Sequence, residues 1–267
     1  MHFQVHFHHI VVEYNVDVFT PENLEAICGI GRSSKIGSQG YIGEKGIGFK
    51  SVFMVAWKVH IQSAKFSFNF QHRRGESGVG MISPVWQEPE EKLMRHLTRI
   101  TLFLHEDGDA MTLRTERENI FQQFRELQGT ILLFLKSIKQ IEIKFYDAGD
   151  SCISSTSYST EVLPDSQNCL CLRKVSITNG NGEESKKYFH ITKHTATNLA
   201  QKENRTYSEA EKNTREYATA EVVLAFPLTE NAIPIIEFQK VFTFQPVRNM
   251  GFKVIWLASG EYVQTLT

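Results

Sequence analysis

The stretch GYIGEKGIGFKSVF, residues 40–53, contains four glycines within nine residues and continues without a break into an amphipathic segment. Gly43, Gly46 and Gly48 leave backbone N–H groups unshielded and allow positive φ angles. A helix that begins directly behind such a turn adds further N–H donors and a partial positive charge. The stretch therefore predicts a cradle for a phosphate chain, with Lys45 and Lys50 as additional cations.

The segment behind the glycines carries apolar residues at helical spacing, which predict a helix of about two to three turns. These residues are Ile47, Val52, Val55 and Ala56. A P-loop is a poor match, because Phe49 separates Gly48 from Lys50. A Rossmann fingerprint is also a poor match, because its loop follows a strand directly, whereas here a helix and a polar loop come first. The alternative to a phosphate cradle is a turn whose glycines only permit close packing.

Upstream, HIVVEYNV predicts a core strand near residues 9–16, with almost nothing before it to act as an N-terminal element. Thr20 and Pro21 suit the N-cap and the first position of a helix, so a short helix is expected at 21–29. The connection GRSSKIGSQGYIG is too polar for a core, and a loop of this length is usually functional or mobile. It is therefore a candidate lid.

Downstream, period-two alternation predicts strands in KVHIQS, KFSFNF and TRITLFLHE, the last at residues 98–106. Helical spacing at 113–128 involves Ile120, Phe121, Phe124 and Leu127, and GTILLFLKSI predicts a second apolar helix after Gly129. From QIEIKFYD onward, short alternating runs predict a strand-dominated half. NGNGEE at 179–184 predicts a hairpin turn, and a polar helical insertion is expected near 207–216.

The composition argues against several classes of function. Lys and Arg (29) balance Asp and Glu (30), so no overall charge favours nucleic acid or an anionic membrane. The chain shows no secretory signal and no run long enough to span a membrane. Four cysteines without paired CxxC spacing predict reduced thiols in an intracellular protein of the cytoplasm or nucleus. Scattered histidines predict no metal site, and a GxSxG hydrolase elbow is absent from the sequence.

The order of these motifs resembles one family. ICGIGRSSK followed by GYIGEKGIGFKSVFMVAWKVHIQS is similar to the lid and second glycine box of the GHKL ATPases. This is the Bergerat fold shared by gyrase, MutL, histidine kinases and the ninety-kilodalton heat-shock chaperones. The closest resemblance is to the chaperone-like branch that contains sacsin and the NO VEIN-type histidine kinase-like ATPase domain proteins. VVLAFPL and VFTFQPVRNMGFK also resemble the strand-rich segment that follows the ATPase domain there.

The resemblance implies a site that binds ATP. Backbone N–H groups of the glycine loop would wrap the triphosphate, Ser33, Ser34 and Lys35 would belong to the lid, and Thr98 would help to hold the adenine, often through water. Asn15 or Asp17 would accept a hydrogen bond from the adenine amino group. The implied nucleotide-binding residues are Asn15, Asp17, Ser33, Ser34, Lys35, Gly40, Gly43, Gly46, Ile47, Gly48, Phe49, Lys50 and Thr98.

Two departures from the family pattern limit what the resemblance implies. The family's N-box helix supplies a catalytic Glu and an Asn that holds Mg²⁺, and both lie upstream of a strand that begins here only a few residues after Met1. This departure predicts at most weak ATP hydrolysis and leaves Mg²⁺ without its Asn ligand. In addition, Val16 and Val18 flank Asp17, and β-branched Val18 restricts the backbone where relatives have glycine.

The expected architecture is α+β. A Bergerat-type sandwich with a mixed, mainly antiparallel sheet is expected over residues 1–110 as an N-terminally truncated GHKL ATPase-like domain. A helical connection at 111–137 and a strand-rich, transducer-like region at 138–267 would follow. The expected function is adenine-nucleotide binding in a chaperone-like or regulatory protein, with a protein partner or the rest of a larger protein as its target. The alternative is a degenerate or truncated, nucleotide-free scaffold or interaction module.

Overall fold

The computed structural model describes residues 1–15, 18–28, 49–75, 83–89, 91–94, 96–135, 137–163, 168–178, 180–198, 220–237, 240–243, 245–249 and 255–258. Within these ranges, 14 strands form one mixed sheet accompanied by two α-helices and two short 3₁₀ helices. The strand-rich α+β architecture with a mixed, mainly antiparallel sheet is therefore confirmed.

The strands are β1 (His2–Val5), β2 (His9–Tyr14), β3 (Ala56–Ser63), β4 (Phe66–Gln71), β5 (Val85–Trp86), β6 (Thr98–Leu104), β7 (Gln140–Tyr146), β8 (Cys152–Val162), β9 (Cys169–Thr178), β10 (Asn181–Ala196), β11 (Ala220–Leu228), β12 (Lys240–Thr243), β13 (Gln245–Asn249) and β14 (Ile255–Ala258). The helices are α1 (Pro21–Cys28) and α2 (Ala110–Arg125), and the 3₁₀ helices span Phe49–Met54 and Gly129–Leu133.

The sheet runs in the order β13-β12-β14-β11-β10-β9-β8-β7-β1-β2-β6-β3-β4-β5. Its described pairings are antiparallel except for β1 with β7 and β12 with β14. β1 pairs with β2 on one side and with β7 on the other. The short strand β1 therefore joins the N-terminal strands to the strand-rich second half.

Helix α2 packs across this junction. The Phe3 and Phe124 rings lie 5.4 Å apart, and the Phe121 and Phe145 rings lie 6.1 Å apart. Phe3 belongs to β1 and Phe145 to β7, so one helix face covers both strands. All four apolar positions predicted for this helix pack against the larger hydrophobic core. That core extends from the buried Val5 to Ile255.

A second core fills the space between the sheet and α1. Its buried members are Phe53, Ala56, Val59, Ile61, Phe68 and Phe70, and Leu24, Ile27 and Cys28 of α1 pack against them. α1 begins as predicted: the Thr20 amide donates to Asn23 Oδ1 at 3.0 Å, and the Asn23 amide donates to Thr20 Oγ1 at 3.3 Å. This reciprocal cap fixes the first turn against the end of the sheet.

Two predicted helices are shorter than expected. Behind the glycines, the structure has a 3₁₀ helix of six residues, Phe49–Met54, and Ala56 already belongs to β3. The reason is sheet pairing: the His105 amide donates to Val55 O, and Ala56 pairs with Leu104, so no backbone remains for further helical turns. The second apolar helix is likewise only the 3₁₀ helix Gly129–Leu133, whose apolar residues Ile131, Leu132 and Leu133 pack in the larger core.

Sequence reasoning also missed strands. β1 lies upstream of the predicted first strand, where almost no structure was expected, and His6 and His8 lie in the turn between β1 and β2. β8 was missed because its Ser/Thr-rich sequence lacks apolar alternation, and Tyr158 is its buried residue. By contrast, the hairpin predicted from Asn-Gly is confirmed: β9 ends at Thr178, β10 begins at Asn181, and Gly180 has φ +81°.

Candidate functional site

The candidate site begins where three neighbouring strands end. Tyr14 of β2 lies directly opposite Thr98 of β6, and Thr98 lies directly opposite Ser63 of β3. Directly opposed residues in antiparallel strands share a face of the sheet. Tyr14, Thr98 and Ser63 therefore form one row of hydroxyl-bearing residues, which we call the hydroxyl row.

A buried hydrogen-bond chain runs through the hydroxyl row. Thr98 Oγ1 and Ser63 Oγ lie 2.6 Å apart, and their residues are 0% and 1% exposed. The Phe19 amide donates to Ser63 Oγ at 2.9 Å. Phe19 lies directly before the Thr20 cap, so this bond fastens the entry to α1 onto the end of the sheet.

The next row on the same face is apolar. Val12 lies opposite Ile100, and Ile100 lies opposite Ile61, each two residues from its neighbour in the hydroxyl row. The side chain of Ile61 is fully buried. The hydroxyl row therefore lies beside an apolar floor formed by Val12, Ile100 and Ile61. Thr98, Ser63 and Ile61 are almost fully buried.

The structure places four of the sequence-predicted site residues. Thr98 lies in the centre of the hydroxyl row. Asn15 is exposed and follows the last residue of β2, so Tyr14 rather than Asn15 is the residue opposite Thr98. Phe49 opens the first 3₁₀ helix and packs against the α1 core, with its ring 5.7 Å from that of Phe70. Lys50 follows it and is half-buried.

Lys50 also lies close enough to the end of α1 to influence Cys28. Burial raises the pKa of the Cys28 thiol, and the positive charge of Lys50 partly offsets that increase. The first 3₁₀ helix and the end of α1 pack against the same hydrophobic core, through Phe49 and Val52 and through Ile27 and Cys28. The chain segment between them, residues 29–48, holds the predicted lid and the glycine loop.

The other predicted site residues lie outside the described part of the chain. These are Asp17, Ser33, Ser34, Lys35, Gly40, Gly43, Gly46, Ile47 and Gly48. The polar helical insertion expected near 207–216 lies outside it as well.

Sequence reasoning missed Ser63 and Tyr14. Ser63 was recognised only as the last residue of a strand, and Tyr14 only as part of a core strand. Their role depends on strand register: β3 turns back through Ala64 and Lys65, so that Ser63 ends level with Thr98. Period-two alternation assigns a residue to a face, but it does not say which residues of neighbouring strands lie opposite each other.

The other face of the same strands is covered by the polar segment that follows β4. His60 Nε2 lies 3.1 Å from Ser67 Oγ, and Gln62 Nε2 donates to Glu91 O at 3.2 Å. Arg99 Nε donates to Glu13 Oε1 at 2.6 Å, and its Nη1 donates to Glu91 Oε2 at 2.7 Å. These bonds satisfy polar groups under a covering segment, which is a structural role.

The histidines of the β1–β2 turn contact carboxylates and rings. His6 Nδ1 lies 2.9 Å from Asp150 Oδ1, and its ring stacks between those of His9 and Tyr146 at 4.3 and 4.2 Å. Among the residues that the structure describes, no group of three or more His, Cys, Asp or Glu side chains could hold a metal ion.

A separate cleft of about 860 Å³ lies in the second half of the molecule. Its wall includes Thr130, Lys186, Tyr188 and Glu230. Tyr188 Oη donates to Glu230 Oε1 at 3.4 Å, and Lys186, Glu184 and Glu230 are exposed. Exposed side chains of both charges, such as these, do not favour one class of ligand over another.

Of the residues that the resemblance assigns to adenine, Thr98 and Asn15 are described, and both carry polar groups that can hydrogen-bond to a purine base. None of the helices in the described ranges is long and apolar enough to cross a membrane.

Comparison with known proteins finds a relative in sequence. The chain is 32% identical over 280 residues to Protein NO VEIN from Arabidopsis thaliana, an alignment that covers 96% of this chain and 9% of that protein. The chain thus spans only a small part of its relative's length. No family model matches the sequence.

Two solved structures are similar at low identity. The crystal structure of the N-terminal domain of a DNA repair protein has a TM-score of 0.36 at 12% identity, covering 92% of this chain and 69% of that one. The B-subunit of the DNA gyrase from Myxococcus xanthus has a TM-score of 0.35 at 11% identity, covering 67% of this chain and 56% of that one. The resemblance to NO VEIN-type proteins expected from the motifs is confirmed by the sequence relative.

Proposed function

We propose that this chain is a GHKL-type domain that binds an adenine nucleotide at the end of strands β2, β6 and β3. The observation that carries the proposal is the position of Thr98. The threonine expected to face adenine occupies the centre of the hydroxyl row, in a buried hydrogen-bond chain with Ser63 and beside an apolar floor. The similarity to NO VEIN along almost the whole chain supports the same assignment.

In this proposal the glycine loop holds the triphosphate through backbone N–H groups. The loop ends where the first 3₁₀ helix begins at Phe49, so the phosphates would lie between that helix and the end of α1. A 3₁₀ helix of six residues contributes little dipole. Phosphate binding would therefore depend on the N–H groups of Gly43, Gly46 and Gly48 and on the charge of Lys50.

The segment GRSSKIGSQGYIG, with Ser33, Ser34 and Lys35, would act as a lid that the nucleotide orders. Such an order–disorder transition would change the contacts of the sandwich-like first half with a transducer-like second half or with a protein partner. The proposed role is regulatory or chaperone-like binding of ATP in the cytoplasm or nucleus.

One observation favours a second candidate, a nucleotide-free interaction module. Thr98 is 0% exposed, and Tyr14 lies on the same face directly beside it. A tyrosine at this point occupies space that a base would need, and Val18 restricts the backbone next to it. The two candidate functions differ in whether the hydroxyl row is accessible to a ligand.

A titration distinguishes them. The whole chain would be titrated with labelled ATP, with and without Mg²⁺, in parallel with Thr98→Val and with Gly46→Val and Gly48→Val combined. Gly182→Ala is the matched control, because a Cβ there would have nothing within 4 Å. We expect saturable binding that the control preserves, that Thr98→Val weakens by about 5- to 10-fold, the equivalent of one hydrogen bond, and that the glycine variant abolishes.

Absence of saturable binding at millimolar ATP would refute the proposal and support the nucleotide-free module. Binding that survives both Thr98→Val and the glycine variant unchanged would show that ATP binds elsewhere. Phosphate release above the background rate would show hydrolysis as well as binding, against the expectation from the sequence.

A further inference from the structure

Strand β10 is longer than its neighbour β11, which leaves part of one edge of β10 without a partner strand. β10 spans Asn181–Ala196 and pairs with β9 from Asn181 onward, whereas β11 pairs with it only from Tyr188 to Ala196. Within the described residues, no strand therefore continues β11 beside residues 184–187. We call this segment the β10 edge.

The backbone of the β10 edge points toward the unpartnered side at every second residue. The Ile191 amide donates to the carbonyl of Asn168, directly before β9, at 2.7 Å. Because hydrogen-bonding direction alternates along a strand, the odd-numbered residues of β10 bond to β9. The N–H and C=O groups of Glu184 and Lys186 therefore point away from β9. They are two donors and two acceptors with the spacing that one further strand needs.

The cleft of about 860 Å³ lies beside the β10 edge, so there is space for a further strand. Its lining includes residues 184–187, and Phe189, Pro227, Ile235 and Ile255 add apolar surface. Phe189 and Ile255 belong to the larger hydrophobic core. An extended segment in this cleft would continue the line of β11 past its end and would cover this apolar surface.

Charged side chains on the two faces of the β10 edge differ in how they are paired. On one face, Lys186 Nζ lies 3.7 Å from Glu184 Oε1, and Arg173 donates to Glu184 Oε2 at 3.0 Å. Lys187 lies on the other face and lines the cleft, and it forms no ion pair with a described residue. A lysine at a free edge disfavours pairing with an apolar strand and favours a strand that brings a carboxylate.

We propose that the β10 edge is a docking site for an extended acidic peptide, which pairs with the backbone of Glu184 and Lys186 and places a carboxylate beside Lys187. Peptide residues opposite Lys187 share its face, where opposite charges stabilise a cross-strand pair. Backbone hydrogen bonds supply affinity, and the charge of Lys187 supplies the preference for acidic sequences. This site is separate from the hydroxyl row and does not depend on nucleotide binding.

The test is equilibrium binding of short labelled peptides to the whole chain, measured by fluorescence anisotropy. The acidic probe is TVEVEVT with both ends blocked, in which the glutamates share one face and the valines the other. Two further peptides replace the glutamates by lysine or by glutamine. A fourth is N-methylated on its valines, so that it keeps every side chain of the acidic probe but loses the N–H groups directed at the β10 edge.

Three variants of the chain separate the contributions. Lys186→Pro removes an N–H that faces the unpartnered side and leaves the pairing with β9 in place, since proline is tolerated on an edge in this orientation. Lys187→Glu reverses the charge beside the peptide. Lys193→Glu is the matched control, because Lys193 is an exposed residue on the same face of β10 at a point where Val223 of β11 already pairs with it.

We expect the wild-type chain to bind the acidic peptide about 3- to 10-fold more tightly than the lysine peptide, with the glutamine peptide between them. The N-methylated peptide should bind at least about 10-fold more weakly than the acidic probe, because it loses more than one backbone hydrogen bond. Lys186→Pro should lose about 5- to 10-fold in affinity, the value of one hydrogen bond. Lys187→Glu should prefer the lysine peptide, and Lys193→Glu should match the wild-type chain.

Several results would overturn the inference. These are no saturable binding of any peptide at millimolar concentration, or equal binding of the acidic and N-methylated peptides. Self-association that Lys186→Pro removes would show a second copy at the edge. Lower stability of Lys186→Pro without any peptide binding would show that the chain itself covers the edge. If Lys186→Pro does not fold, the preference of Lys187→Glu for the lysine peptide still decides the question.

Discussion

Gly129 offers a sharp test of how the second half of the sheet packs against the connection from α2. A Cβ atom at this position would lie 2.2 Å from Cδ1 and 2.7 Å from Cγ of Tyr158. These distances are shorter than real Cβ contacts allow, and the atoms belong to the base of the ring rather than to a flexible end. Gly129→Ala therefore forces the Tyr158 ring or the backbone to move.

The cost follows from what holds Tyr158 in place. The residue is 7% exposed, and its hydroxyl donates to Leu127 O at 3.0 Å. Overpacking a core costs about 1 to 3 kcal/mol, and loss of the hydroxyl bond adds about 1 kcal/mol. Replacing glycine by alanine also reduces the entropy of the unfolded chain, which offsets about 0.5 to 1 kcal/mol of this destabilisation. The expected net loss in the free energy of unfolding is therefore about 1 to 3 kcal/mol.

The assay is urea denaturation of the wild-type chain, Gly129→Ala, Tyr158→Ala and the double variant, with Gly182→Ala as the glycine control. The control should not be destabilised, and the lower entropy of its unfolded chain should raise its free energy of unfolding by about 0.5 to 1 kcal/mol. In the double variant the clash is absent, so Gly129→Ala should no longer destabilise the chain and the two changes should be strongly non-additive. Additivity within about 0.5 kcal/mol would refute the assignment of the cost to the Tyr158 ring.

Three further predictions concern stability. Burial raises the pKa of the Tyr158 hydroxyl in the folded chain. Its contribution to the free energy of unfolding is therefore fully present below the unfolded pKa of about 10 and is lost as the pH rises through the folded pKa. Tyr158→Phe should flatten the decline of the melting temperature at alkaline pH. Arg117 is 3% exposed and donates to Phe7 O and His105 O. Arg117→Met should therefore lower the free energy of unfolding, measured by urea denaturation, by about 2 to 4 kcal/mol. A decrease of less than about 1 kcal/mol would contradict this. Ala64 has φ 50° in the β3–β4 turn, so Ala64→Gly should raise the free energy of unfolding by about 0.5 to 1 kcal/mol, whereas destabilisation would argue against a strained turn.

The sequence alone predicted those helices and strands that have one apolar face and one polar face. This holds for β3, β4 and β6, for α1 with its Thr20 and Asn23 cap, and for α2, whose predicted apolar face covers the β1–β7 junction. β8 lacks such a pattern. It forms because β7 and β9 offer backbone partners along both of its edges, which is a property of the tertiary structure and not of its own residues.

The site was less predictable than the fold because it depends on register. Thr98 was identified from a motif, and the structure places it in the hydroxyl row. The identity of its neighbours, however, changes completely with a shift of one residue: Tyr14 lies opposite Thr98, whereas Asn15 lies past the end of β2. The helix expected behind the glycines was too long for a similar reason, since local periodicity cannot show that β6 already pairs with the chain at Ala56.

The proposed switch would have to act through the junction between the two halves. β1 and β7 are matched over four residue pairs, from His2 with Glu142 to Val5 with Phe145. β6, which carries Thr98 at one end, leads at its other end into α2, and α2 packs on both β1 and β7 through Phe124 and Phe121. A nucleotide that displaces β6 would therefore move the helix that covers the junction. Coupling of this kind requires an element with two arrangements, between which the two sites differ in preference. Helix α2 is a candidate for that element, because it packs on both β1 and β7.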